Sequence, residues 1–289
     1  MSVDRLQEKI RKLKNPSVIA MNPTMDMIPP SLVLEEGTEL GAYARFCKEI
    51  LIALKSIVPA VRFSYGCYSL MGGEGLQLLQ ELLRVAKDLG FYVLVDVIQA
   101  LSPDEADRAA NYFAEYPCDG FVVSSYIGSD GLKPYVKVIK DKKKGLYVVM
   151  RTANRTASEL QDLMTGSRLV HMAMADVVSY LSEGFVGKCG YAQIAGTAAA
   201  SSSGSIKSLR AKYRNIFLLI DGYDYSNANA KNCSYAFDKL GHGAVVCSES
   251  SVVAAWQEEN VGNPAAFADC AVAAAERMKK NITRYISVL

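Results

Sequence analysis

The sequence has no Cys-x-x-Cys pair, only two histidines and one tryptophan in 289 residues, and no excess of either charge. Each shortage removes a class of function. The seven cysteines (Cys47, Cys67, Cys118, Cys189, Cys233, Cys247, Cys270) are scattered and odd in number, which excludes a disulfide scaffold and predicts reduced packing residues in a cytoplasmic protein. With 32 Lys+Arg against 30 Asp+Glu, there is no electrostatic case for nucleic acid as a partner. The longest apolar runs are of strand length and close at Asp, Gly or Arg, so no membrane segment is expected. The N-terminal MSVDRLQEKIRKLKNPSV reads as a charged amphipathic helix, without the apolar centre and cleavage site of a signal peptide.

What the chain does have is alternation. Strand-length apolar segments at Val18–Met21, Ala60–Phe63, Tyr92–Asp96, Gly120–Val123, Leu146–Met150, Ala192–Ala195, Ile216–Ile220 and Ala244–Val246 are separated by segments of helical period. The helical patterns include Glu74–Leu89, Pro103–Glu115, Asp130–Lys140, Leu169–Ser182, Ser205–Tyr213, Asn227–Leu240 and Pro264–Lys280. Ser102-Pro103-Asp104-Glu105 opens one of them and Leu89-Gly90 closes another. Such repetition predicts an α/β fold, a closed (β/α)8 TIM barrel ahead of an open doubly wound sheet. No linker or composition shift divides the chain, so a single domain over 1–289 is expected, with Ala198–Ser205 (AAASSSGS) as a strand-to-helix loop.

In a barrel of this kind function gathers after the C-terminal strand ends. Those ends carry Asn22-Pro23, Arg62, Asp96 followed by Val97-Ile98-Gln99-Ala100-Leu101, Ser124–Gly128, Arg151-Thr152-Ala153-Asn154, Gly196-Thr197, Asp221-Gly222-Tyr223-Asp224 and Cys247-Ser248-Glu249-Ser250.

The order of these segments resembles the orotidine 5'-monophosphate decarboxylase family, specifically its longer bacterial subfamily. Asp119-Gly120 through Gly131-Leu132-Lys133-Pro134 is similar to that family's fourth strand, turn and helix start; Val148–Asn154 with Leu160–Leu163 is similar to its fifth. Val18–Pro23, Gly72–Leu76 and Gly243–Val253 fit as well, so the resemblance covers nearly the whole chain. It implies a homodimer that works without a cofactor or metal on a nucleotide-like small molecule. The family resembles a machine of alternating Lys and Asp side chains beneath the substrate carboxylate, one Asp crossing the dimer interface and one Lys protonating the carbanion.

The departures bear on that chemistry. The family's Asp-x-Lys-x-x-Asp signature stands here as Asp96-Val97-Ile98-Gln99-Ala100-Leu101: one carboxylate remains, while the acid and the second carboxylate are hydrocarbon. An isoleucine cannot deliver a proton at any pH. The second-strand lysine is Arg62, a planar fork in place of a mobile point donor. At the phosphate end, the family's glycine-rich loop and arginine are matched by Asp221-Gly222-Tyr223-Asp224 and by Ser250 beside Glu249, so a phosphate would meet negative charge.

The resemblance therefore implies Asp96 and Arg62 at the catalytic position and Asn22, Arg151, Thr152, Asn154, Gly222 and Ser250 as substrate-binding residues. Plainer readings stand beside these. Asp96 is either a retained catalytic carboxylate or the ion-pair partner of Arg62. Arg151, Thr152 and Asn154 either face the ligand or tie loops together, and Asp221, Asp224 and Glu249 either gather around a cation or polyol or are solvated. His171 and His242 read as structural, Cys247 lacks a base, and Lys140–Lys144 reads as a solvated loop. The function expected is a ligand-binding or regulatory pseudoenzyme that has lost decarboxylase activity. The alternatives are a repurposed enzyme on another small polar substrate, or an active decarboxylase with a displaced proton donor.

Overall fold

The computed structural model describes residues 1–225, 228–258 and 263–288. Eight parallel strands close into a barrel: β1 Ser17–Ala20, β2 Ala60–Ser64, β3 Tyr92–Asp96, β4 Gly120–Ser124, β5 Gly145–Val149, β6 Ile194–Ala199, β7 Leu218–Asp221 and β8 Ala244–Ser248. Each pairs with its sequence neighbours, and β1 closes the ring against β8 through Ser17↔Val246 and Ile19↔Ser248. The fold is the expected TIM barrel. Among the described residues no helix is long and apolar enough to cross a membrane.

Strand periodicity decides what lies inside. Successive side chains point to opposite faces, so Val61, Phe63, Val93, Val95, Phe121 and Val148 pack outward into the layer shared with the helices. Their alternates Ala60, Tyr92, Leu94, Val122, Tyr147, Leu219 and Val245 fill the interior. The N-terminal helix Ser2–Leu13 closes the lower end, burying Val3, Leu6 and Ile10 against that inner cluster. Each such side chain contributes roughly 1.5–3 kcal/mol through burial. With the lower end filled, the same alternation brings Arg62, Ser64, Asp96, Thr197, Asp221 and Cys247 to the upper interior, where their strands end.

Three local expectations are corrected. The sixth strand runs past Ala195 to Ala199, so Gly196 and Thr197 belong to the wall, and Ala198–Ala199 is not loop. Its residues are small, and Gly196 leaves room for the Met150 thioether, whose Cε would lie 2.3 Å from a Cβ there. The helix expected over Asn227–Leu240 is only Ala230–Ser234, with Asn227 outside the described residues. The Asp238 carboxylate accepts from the Leu240 and His242 amides, and this local turn replaces further helix. The Lys140–Lys144 run is not a solvated loop throughout. Lys140–Lys142 ends the helix Ser129–Lys142, Lys143 caps it in the left-handed region that favours glycine (φ 55°), and Lys144 is buried with Nζ donating to the Tyr116 carbonyl at 2.6 Å.

Candidate functional site at the barrel mouth

Arg62 stands one pleat below the rim, because it is the third residue of β2 and pairs in register with Leu94 rather than with Asp96. From there its guanidinium reaches up and across. Nε donates to Asp96 Oδ1 at 2.6 Å, and Nη1 donates to Asp221 Oδ1 from the far side of the barrel. One positive charge is therefore shared by two carboxylates, the side chains being only 15%, 27% and 20% exposed for Arg62, Asp96 and Asp221. Burial opposes the charge on Arg62, but Asp221 and Asp96 outweigh it and hold the guanidinium well above its ordinary range. Burial pushes the Asp221 carboxyl up, with Asp96 adding repulsion and Arg62 opposing the rise. Of the two readings of Asp96, its position beside Arg62 is that of an ion-pair partner.

This bridge separates two cavities that share Arg62, Asp96, Ala153 and Asp221. The larger, 520 Å³, is lined also by Asn22, Ser64, Cys67, Gly222, Asp224, Glu249 and Ser250. The smaller, 390 Å³, carries apolar Val97, Val122 and Val149 with the polar groups of Gln99, Ser124, Thr152, Gln161 and Thr197. Among the described lining residues of both, Arg62 is the only cation.

The expected binding residues divide. Asn22, Gly222 and Ser250 line the larger cavity and Thr152 lines the smaller. Asn22 is fixed by accepting the Ser64 amide at 2.7 Å. Arg151 and Asn154 line neither. Arg151 turns its fork to Asp162, at 3.1 Å from Nε and 2.8 Å from Nη2, and donates to the Thr152 carbonyl. The same carboxylate contacts His171 Nδ1 at 3.1 Å, so His171, 1% exposed, is structural as expected. Asn154 is exposed and closes a local network with Thr152 Oγ1 at 2.6 Å and Thr156 Oγ1 at 3.1 Å. For these two residues the loop-tying reading describes the geometry.

The acidic groups do not converge on a point. Asp224 accepts from the Ser248 hydroxyl at 2.7 Å, the Ser251 hydroxyl at 2.5 Å and the Glu249 amide at 2.6 Å, which caps the turn into Ser250–Val253. Asp221 is held by Arg62. Among the described residues no three acidic, His or Cys groups are arranged to hold a metal ion. Burial lifts Glu249 from 4.5 to about 7; Asp224 and Asp96 add to the rise, while Arg62 and a hydrogen bond with Asn22 resist it. Burial likewise pushes the Cys247 thiol up, with Asp221 and Asp96 adding to the rise and Arg62 opposing it; the thiol hydrogen-bonds with the Asp221 carboxyl, which Arg62 already holds.

Sequence reasoning missed Met27, Cys67, Tyr225, Tyr126 and Gln161 as lining residues. Ser64 follows from the period-two pattern of β2, but these five lie on loops or on the short helical turns Met25–Met27, Tyr65–Ser69 and Ser158–Gln161, whose direction no local pattern gives. Gly222 shows why that loop needs glycine. Its φ is +75°, and a Cβ would lie 2.4 Å from the Ala153 Cβ and 2.6 Å from the Tyr225 ring. Gly222→Ala is expected to destabilise the protein by about 1–3 kcal/mol, read as a lower urea midpoint at unchanged slope.

No protein-family model matches the chain. Curated proteins do. It is 27% identical over 265 residues to the orotidine 5'-phosphate decarboxylase of Clostridium kluyveri, covering 91% of this chain and 90% of the relative. It is 26% identical over 286 residues to that of Petrotoga mobilis, covering 98% of each. A Toxoplasma gondii crystal structure described as an orotidine-monophosphate decarboxylase superposes with a TM-score of 0.78 at 18% identity over 98% of both chains, which shows the shared fold.

Proposed function

From the premise that this chain belongs to the orotidine 5'-monophosphate decarboxylase family, in company with its full-length curated relatives, we propose that it is a single-domain, ligand-binding or regulatory barrel without decarboxylase activity. The observation that carries this reading is that no lysine stands among the described residues that line the two cavities, and that the position the family resemblance gives to the protonating lysine is a hydrocarbon, Ile98. Ile98, at the position that the family resemblance gives to the protonating lysine, is 53% exposed and lines a separate surface groove with Tyr65, Arg108 and Tyr112. Arg62 is the one cation among the described residues that line the two cavities, but a guanidinium held above its ordinary range is a poor acid.

The geometry can bind but lacks the means to push a reaction along the family route. A carboxylate beneath a reacting carboxylate raises its energy only if it is free to repel, and Asp96 is neutralised by Arg62 at 2.6 Å. The rim offers hydrogen-bonding groups in their place: Asn22, Ser64 and Ser250 in one cavity, and Thr152, Gln161 and Thr197 in the other. These suit a nucleoside-sized polar molecule, and cavities of 520 and 390 Å³ are of ordinary size for a small-ligand site. A cytoplasmic homodimer is part of the same reading. It is supported by the apolar side chains exposed just after β3, Ile98 at 53% and Leu101 at 82%.

The test is release of carbon dioxide from orotidine 5'-monophosphate by the wild-type chain and by Ile98→Lys. Neither is expected to exceed the uncatalysed background, because Leu101 and the Arg62 bridge remain in the variant. Turnover by the wild type would overturn the reading and favour a displaced proton donor.

A further inference from the structure

The larger cavity holds four carboxylates, Asp96, Asp221, Asp224 and Glu249, against the one guanidinium of Arg62. The first two share Arg62, and Asp224 is satisfied by two hydroxyls and an amide. Glu249 is different. It lines the cavity and hydrogen-bonds with the Asn22 side chain, and among the described residues it forms no salt bridge, Arg62 acting on it only at a distance. Of the four acidic residues in this lining, Glu249 is the one held neither by a salt bridge to Arg62 nor by a set of hydroxyl and amide donors.

We infer that the larger cavity takes an organic cation, a nucleoside-sized amine whose ammonium group faces Glu249. The inference rests on the ligand-binding reading above, and names the ligand class of that same site. The site itself is given by a 520 Å³ cavity at the C-terminal mouth of a barrel; the acidic lining decides only the sign of the ligand's charge. A phosphate placed there would face Glu249 and the already shared Asp221, with no free cation among the described lining residues. A neutral molecule would leave Glu249 either ionised without a partner or protonated. An ammonium group answers the unpaired carboxylate directly. A metal ion is not the occupant this geometry suits, since the acidic groups are dispersed among different partners.

The test is calorimetric titration at pH 8 with two probes that differ only at one end, 5'-amino-5'-deoxyuridine and uridine. The amine is expected to bind at least ten-fold more tightly, and Glu249→Gln, checked for an intact melting transition, is expected to abolish that preference. Uridine binding as tightly as the amine, or no binding of the amine, overturns the inference. A second readout does not depend on the choice of probe. Cys67 is exposed and lines the same cavity. Its modification by a trimethylammonium methanethiosulfonate should outpace that by the sulfonate analogue at least ten-fold, relative to their rates with a free thiol. Equal rates, or a faster sulfonate, overturn the inference. Decarboxylation of orotidine 5'-monophosphate in the same preparation would be a failure of the underlying reading, and is distinguished by its product.

Discussion

Arg62→Met is expected to lower the stability of the protein by about 3–5 kcal/mol, the cost of removing one partner from a largely buried charge cluster. The arginine contributes little net energy by its attraction, since its own burial and that of the two acids offset the Coulombic gain. The loss comes from what is left behind. Without it, Asp96 and Asp221 face each other across the upper interior, and Asp221 already tends toward its neutral form by burial. Either a proton is taken up or water enters. Arg62→Lys should fall between, because one ammonium cannot serve both acids with the fork's geometry. Adding Asp96→Asn and Asp221→Asn to Arg62→Met should recover most of the loss, which a general packing defect would not allow. Chemical denaturation of the four proteins checks this; a single variant as stable as the wild type would mean that the two carboxylates are solvated.

The second large effect is the pH dependence that Glu249 imposes. Its folded-state value of about 7 lies above the ordinary 4.5, with burial as the main cause and Asp224 and Asp96 as additional ones, against Arg62 and Asn22. The folded state therefore binds this proton more tightly than the unfolded chain. By linkage, the stability associated with the protonated carboxyl is fully present below about 4.5 and is lost as pH rises through about 7. Above that point the ionised group costs about 2–3 kcal/mol. Glu249→Gln removes the titration while keeping a hydrogen-bonding side chain next to Asn22. The variant is expected to melt several degrees higher than the wild type at pH 8 and at the same temperature at pH 4.5. Thermal melts across that range check the sign, and an advantage independent of pH would contradict it.

Much of the architecture was legible because strand spacing and helix punctuation agree along the chain. All eight strands lie where the apolar segments place them, within a few residues. The rim was legible too, since a barrel puts function at strand ends, and Asn22, Arg62, Asp96, Gly222 and Ser250 do meet there. What could not be read was partnership. Nothing in the sequence says that Arg62 spans the barrel to Asp221, because that depends on register and on a pleat offset between β2 and β3. Arg151 followed the family resemblance into the ligand site, but Asp162, eleven residues later, holds it in a loop brace. The helix expected after β7 failed because an Asx-type turn at Asp238 offered its backbone amides a nearer acceptor. Local pattern fixes where a side chain starts; distant neighbours fix where it points.

The proposed function rests on a barrel mouth lined by Asp96, Asp221, Asp224 and Glu249 where the family resemblance implies a phosphate grip. Equilibrium titration of the wild-type protein with uridine 5'-monophosphate tests it most directly. The predicted result is no saturable binding below the millimolar range, and no gain in melting temperature from the nucleotide. Micromolar binding, with the melting shift that it brings, would contradict the claim and return the chain to the chemistry of its decarboxylase relatives.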